Sequence, residues 1–221
     1  TLDDNRIRSY LLAHPEVIIE ALEILEARRA REQEELQKAS LALHYDALVQ
    51  SGHHGIMGNP DGDVTLIEFF DYNCRFCRAS LATIDLLVKN DPNLRVILKE
   101  FPVLGPDSQD VARIAIAALA TDPAKYVELH KSFLQIHGQM NGRLALSQAE
   151  KLQFDMEKLK QNLDNPIVDQ TIEAVYSAAS ELGLNGTPTF IIGKEIIPGA
   201  IEHDALRAKI DAMRQCGDTA C

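Results

Sequence analysis

Three observations predict an α/β fold. Residues 64–99 read as strand, helix and strand; residues from about 105 to 185 read as helices; and residues 189–197 read as a β-hairpin with a closing helix over 203–215. The run VTLIEFF over Val64–Phe70 is almost wholly apolar and of strand length, the pattern of a strand buried on both faces. Ala79, Leu81, Ile84, Leu87 and Val88 then recur at helical spacing, Asp91, Pro92 and Asn93 turn the chain, and LRVILK over 94–99 reads as a second strand. A strand, a crossover of about twenty residues and a second strand imply parallel pairing.

Helices are expected near 107–120, 123–137 and 147–183, the last interrupted at Asn165 and Pro166. TFII over Thr189–Ile192, a tight turn at Gly193 and Lys194, and residues 195–197 form the hairpin.

The first 55 residues differ in character. Asp3 or Asp4 can cap a helix, and Pro15 permits a new one to start. Val17, Ile18, Ala21, Leu22 and Leu25 form an apolar stripe that nearly vanishes over 28–38, where Arg28, Arg31, Glu32, Glu34 and Lys38 dominate. Pairs such as Arg28–Glu32 support a solvated helix. Leu41, Leu43 and Leu48 mark a further helical stretch before Ser51 and Gly52. Such a helix is either peripheral, laid partly on the main domain, or an oligomerisation arm with a charged spacer. The expected division is therefore 1–55 as a helical extension and 56–221 as the main domain.

The chain has 221 residues, 46% hydrophobic and 25% charged, enough to bury a core without disulfide staples. Its net charge of −11 argues against nucleic acid and anionic membrane surfaces as partners. No apolar run reaches the length of a membrane span, and the acidic start, Thr-Leu-Asp-Asp, lacks the marks of a signal peptide.

Cys74 and Cys77 lie where the first strand of the crossover gives way to the helix. A nucleophilic cysteine must be a thiolate, and a helix amino terminus supplies unpaired N–H groups and a positive dipole end. Cys74, at that end, is placed to attack; Cys77, one turn deeper, is placed to resolve the mixed disulfide. Arg75 would add to the stabilisation if it turned inward. The other readings are a structural disulfide or half a zinc site, for which Cys216 and Cys221 would be ill-placed ligands. The strand–helix–strand context favours redox chemistry.

Two more features bear on the pair. Thr187 and Pro188 stand just before a strand, where an X–Pro bond can be cis and the backbone of Thr187 is left free to pair with a substrate strand; an ordinary turn is the alternative. Glu68 alternates with Leu66 and Phe70 on one strand face, so it faces an interior. A buried carboxylate must be paired or protonated. Glu68 either relays protons for Cys77 or pairs with Lys99 on the neighbouring strand.

The runs VTLIEFFDYNCRFC, LKEFPVLGPDS and NGTPTFIIG, in this order and spacing, resemble the DsbA-like branch of the thioredoxin superfamily over residues 56–215. The resemblance implies a thioredoxin fold with an inserted helical domain, about 106–184. It also implies Cys74 as nucleophile, Cys77 as resolving cysteine, Pro188 as cis-proline, Glu68 as buried acid, and a periplasmic (extracytoplasmic) home. The run IRSYLLAHPEVIIEALEILE is similar to the extension of a subgroup that includes the suppressor-of-copper-sensitivity C proteins. In that subgroup the extension can drive trimerisation, and Thr187 is like the residue before the cis-proline in dedicated isomerases. The dipeptide Arg75-Phe76 departs from the Pro-His of prototype oxidases, so oxidising strength does not carry over. Cys216 and Cys221 lie outside the matched motifs, as a terminal disulfide or two free thiols, the disulfide being favoured in an oxidising compartment.

The expected function is that of a homo-oligomeric protein disulfide isomerase, with a trimer favoured, acting on misfolded or reduced client proteins and kept reduced by a membrane redox partner. No cofactor and no metal are called for. The alternatives are a monomeric dithiol oxidase that donates its disulfide, and a protein that binds Cu(I) through Cys74 and Cys77, since soft thiolates suit Cu(I).

Overall fold

The computed structural model describes residues 4–221. Asp3 lies outside the described residues. The chain divides into two units, Thr1–Leu41 and Ala42–Cys221.

Helix α1 covers Asp4–Ala13, and α2 covers Glu16–Gln50 without interruption, so the charged stretch 28–38 is helical throughout. The break between them falls at His14 and Pro15, as proline requires. Ile18, Leu22 and Leu25 stand at successive turns of α2 and are 48%, 52% and 42% exposed, so among the described residues the apolar stripe is left about half open.

The second unit is built on a five-stranded sheet in the order β1-β3-β2-β4-β5. Its strands are β1 Gly55–Gly58, β2 Val64–Phe70, β3 Leu94–Glu100, β4 Thr189–Ile192 and β5 Glu195–Pro198. The helix α3, Arg75–Asn90, crosses over from β2 to β3, and these two strands are parallel while the other pairings are antiparallel. Five helices connect β3 to β4: α4 Pro106–Thr121, α5 Pro123–Gln135, α6 Gly142–Lys151, α7 Met156–Leu163 and α8 Pro166–Glu181. The chain closes with α9, His203–Cys216.

The helical stretch expected over 147–183 breaks at Asn165 and Pro166 as read from the sequence, and it breaks a second time between α6 and α7. Asn141, Asp155 and Asn165 each accept a hydrogen bond from the backbone of the turn that follows, capping α6, α7 and α8. Gln153 takes a positive φ of 57° between α6 and α7, which ends the first helix. Strand β1 was not expected. It is four residues long with two glycines, too short to carry a periodic signal, and exists because β3 offers it a partner edge.

Strand alternation gives the sheet two distinct faces. Leu66, Phe70, Val96, Leu98 and Phe190 pack with Cys77, Leu81 and Ile84 of α3 and with Phe133 of α5 in the main core. In the β2–β3 register Glu68 is opposite Leu98, and Phe69 is opposite Lys99. Glu68 and Lys99 therefore point to opposite faces, and the ion pair considered above does not form.

Candidate active site

Strand β2 delivers the chain to a loop, Asp71 to Asn73, that is held from three directions. The Asp71 carboxylate accepts from Asn73 N at 2.7 Å, from Ser108 Oγ of α4 at 2.7 Å and from Leu104 N at 2.9 Å. The Asn73 side chain pairs with the backbone of Met140, accepting from its N–H at 2.7 Å and donating to its carbonyl at 3.1 Å. Arg78 of α3 donates to Tyr72 O and to Ile136 O, both at 2.9 Å. The helical insertion thus clamps the entry to α3. Sequence reasoning missed Asp71, Asn73, Arg78 and Ser108. The available signal was the Asp-x-Asn spacing ahead of the cysteines, since an Asp side chain commonly bonds the backbone two residues on.

Cys74 is the N-cap residue of α3, in extended conformation and 6% exposed. Cys77, one turn later, is fully buried, and both cysteines are free thiols. As a thiol, Cys74 Sγ donates to Thr187 O at 3.1 Å. As a thiolate it is stabilised chiefly by the Cys77 thiol, which donates to it. The Thr187 side chain and the N–H groups of Phe76 and Cys77 add to this, against the opposing effect of burial. The sum holds the Cys74 pKa down at about 5. Burial first, then the hydrogen bond to Cys74 and the Glu68 charge, push Cys77 far above the ordinary thiol range. Two cysteines three residues apart are thus driven in opposite directions by their places on one helix.

Arg75 does not turn inward. It is exposed and stacks 4.4 Å over the Phe76 ring, so its charge lies in solvent and is not among the groups that stabilise Cys74. The donors at the amino end of α3 replace it.

Thr187 and Pro188 sit across from the pair at the start of β4, with the Thr187–Pro188 bond cis. Thr187 is partly exposed and Pro188 is buried. Glu68 is 4% exposed, and burial, reinforced by the Cys74 charge, pushes its pKa up to about 8. A second buried acid, Glu100, accepts from the hydroxyls of Tyr72 at 2.9 Å and Tyr126 at 3.0 Å, and burial raises its pKa to about 8 as well. It ties the loop to α5 beneath the cysteines. Cys216 and Cys221 are joined in a disulfide at the end of α9, which takes them out of the ligand set considered for zinc.

An α/β sheet with a free cysteine pair at the start of its crossover helix, facing a cis-proline, defines a thioredoxin-fold protein. This chain belongs to the DSBA-like thioredoxin domain family, whose model matches residues 65–211. Residues 5–32 match a second model, the copper resistance protein ScsC N-terminal domain. A thioredoxin-like oxidoreductase from Silicibacter pomeroyi DSS-3 is 36% identical, with a TM-score of 0.73 over 77% of this chain and 98% of that one. Proteus mirabilis ScsC in a transitional conformation is 25% identical, with a TM-score of 0.73 over 93% of this chain and 92% of that one. Among curated proteins, a Na(+)/H(+) antiporter NhaA 1 from Salinispora arenicola (strain CNS-205) is 25% identical over 157 residues, 70% of this chain. That match takes up 24% of the antiporter, so the chain spans about a quarter of the curated relatives of this kind. No helix among the described residues is long and apolar enough to cross a membrane.

Proposed function

We propose that this chain is a thiol–disulfide oxidoreductase that works as an oligomeric protein disulfide isomerase on extracytoplasmic client proteins. The observation that carries the redox reading is the pair of opposed cysteines, with Cys74 ionised near pH 5 beside the Thr187 carbonyl. At neutral pH Cys74 is a thiolate. It attacks a client disulfide; a bond forms between Cys74 Sγ and one client sulfur, and the second client sulfur leaves as a thiolate. If that thiolate attacks elsewhere in the client and a client thiolate then displaces Cys74, the exchange is redox-neutral isomerisation. If Cys77 attacks Cys74 Sγ instead, the Cys74–Cys77 disulfide forms and the client departs carrying two more electrons. Cys77 must lose its proton first, and Glu68, buried and titrating near neutrality, is the group assigned to take it.

The low Cys74 pKa also sets the direction. A thiolate two pH units below neutrality stabilises the reduced pair by about 3 kcal/mol, or roughly 60 mV. A stable reduced form suits an isomerase, whose cycle begins there. The exposed apolar stripe of α2 supports the oligomeric reading, and the Cys216–Cys221 disulfide supports an oxidising compartment such as the periplasm. The reductant that keeps the pair reduced is assigned to a membrane redox partner.

Refolding of scrambled ribonuclease tests this reading. Catalytic amounts of the reduced chain are expected to restore ribonuclease activity. If the chain instead only oxidises reduced ribonuclease and leaves the scrambled form untouched, the dithiol oxidase reading replaces it. The Glu68 assignment has its own test. Glu68→Gln is expected to slow release of a preformed Cys74 mixed disulfide about tenfold at pH 7 while leaving its formation nearly unchanged. Equal rates in both enzymes across pH 6–9 would leave Glu68 without a part in the proton transfer.

A further inference from the structure

A cavity of about 280 Å³ opens on the sheet face opposite the cysteines, floored by Phe69 and Lys99 and walled by Leu48 of α2 and Val175 and Ala178 of α8. Lys99 is only 2% exposed. Its ammonium donates to Ser51 Oγ at 2.6 Å, and among the described residues no carboxylate lies within ion-pair distance of it. His54 also lines the cavity, and its Nδ1 is buried without a hydrogen-bond partner. The acidic residue on the cavity, Glu181, is 3.2 Å from His44 Nδ1.

A buried ammonium without a counter-ion is costly, and burial pulls the Lys99 pKa down to about 7. The thiol chemistry makes no use of Lys99 or His54, which lie across the sheet from it. A lysine lacking an anion and a histidine nitrogen lacking a partner therefore share one mostly apolar space. We infer that this cavity binds a small apolar monocarboxylate, with its carboxylate on Lys99 and His54 and its hydrocarbon chain along Leu48, Phe69 and Val175. The charge of the site selects an anion, and the walls select a hydrocarbon over a hydrated ion such as phosphate. The volume lies near the lower end of the range for ligand pockets, about 300 Å³, which fits one short chain rather than a peptide or a two-chain lipid.

Calorimetric titration of the whole 221-residue chain at pH 7 with octanoate, octanamide and octylamine tests the inference. Octanoate is expected to bind at least about tenfold more tightly than octanamide, because a charge-assisted hydrogen bond distinguishes them, and octylamine is expected not to bind. Lys99→Met should remove the preference for octanoate and leave ribonuclease refolding unchanged. Ala178→Phe, which keeps Lys99 but fills the cavity, should abolish binding of octanoate and octanamide alike. Equal affinity for octanoate and octanamide, no binding of either, or octanoate binding that survives Ala178→Phe would each overturn the inference.

Discussion

Cys74→Ser is expected to lower thiol–disulfide exchange at pH 7 by at least about 10³-fold, even though Cys77 remains. Each unit by which a thiol's pKa exceeds the pH costs it tenfold in thiolate, and Cys77 is buried and held far above the ordinary thiol range. It has neither the charge nor the access to take over. Cys77→Ser should behave differently. Cys74 keeps its place at the amino end of α3 and still attacks, but the attached client is no longer displaced from within. Mixed disulfides should then accumulate and be visible by mass spectrometry of the non-reduced protein. The Cys77 thiol is also the largest contributor to the low Cys74 pKa, so the serine variant should attack with a somewhat raised pKa, its hydroxyl substituting in part. Comparable losses in the two variants would contradict the division of labour.

Removal of residues 1–41 is expected to convert an oligomer to a monomer and to cut isomerisation of scrambled ribonuclease at least about tenfold. Oxidation of reduced thiols should stay within about twofold. Ile18, Leu22 and Leu25 lie one helical turn apart and are half exposed in the single chain, which is the pattern of a stripe awaiting a partner helix. Isomerisation requires the catalyst to hold a client through more than one exchange, and several sites on one particle raise the local concentration of Cys74 by avidity. The chemistry at Cys74 needs no second copy, because every group that stabilises its thiolate comes from residues 76–187 of the same chain. The mass in solution and the two activities can be read on the same preparations. A 221-residue chain that is already monomeric would remove the mechanism proposed for isomerisation.

The parts of the site legible in the sequence are those that local pattern determines. A doubly buried strand followed by two cysteines at the start of an amphipathic helix places Cys74 and Cys77 unaided. The alternation of Leu66, Glu68 and Phe70 places Glu68 inside. The failures share one cause, dependence on register or on distant chain. Whether Glu68 meets Lys99 depends on a one-residue offset between β2 and β3, and that offset sends the two to opposite faces. The Asp71 latch needs Ser108, and the Asn73 latch needs Met140, residues brought up by the helical insertion. Strand β1 needs β3, and the break between α6 and α7, unlike the one at Asn165 and Pro166, turns on the Asp155 cap and the positive φ of Gln153.

The redox chemistry rests most directly on the ionisation of Cys74, so the measurement to make is the rate of Cys74 alkylation by iodoacetamide in the reduced 221-residue chain between pH 3 and pH 10. A pKa held below the ordinary thiol value means that thiolate is present above the folded-state pKa and lost as pH falls through it. The alkylation rate should therefore be flat from neutral pH down to about pH 6 and fall with a midpoint near pH 5. A midpoint near pH 8.5, the value of an ordinary exposed thiol, would contradict the account, since the donors around Cys74 would then be doing nothing to its chemistry.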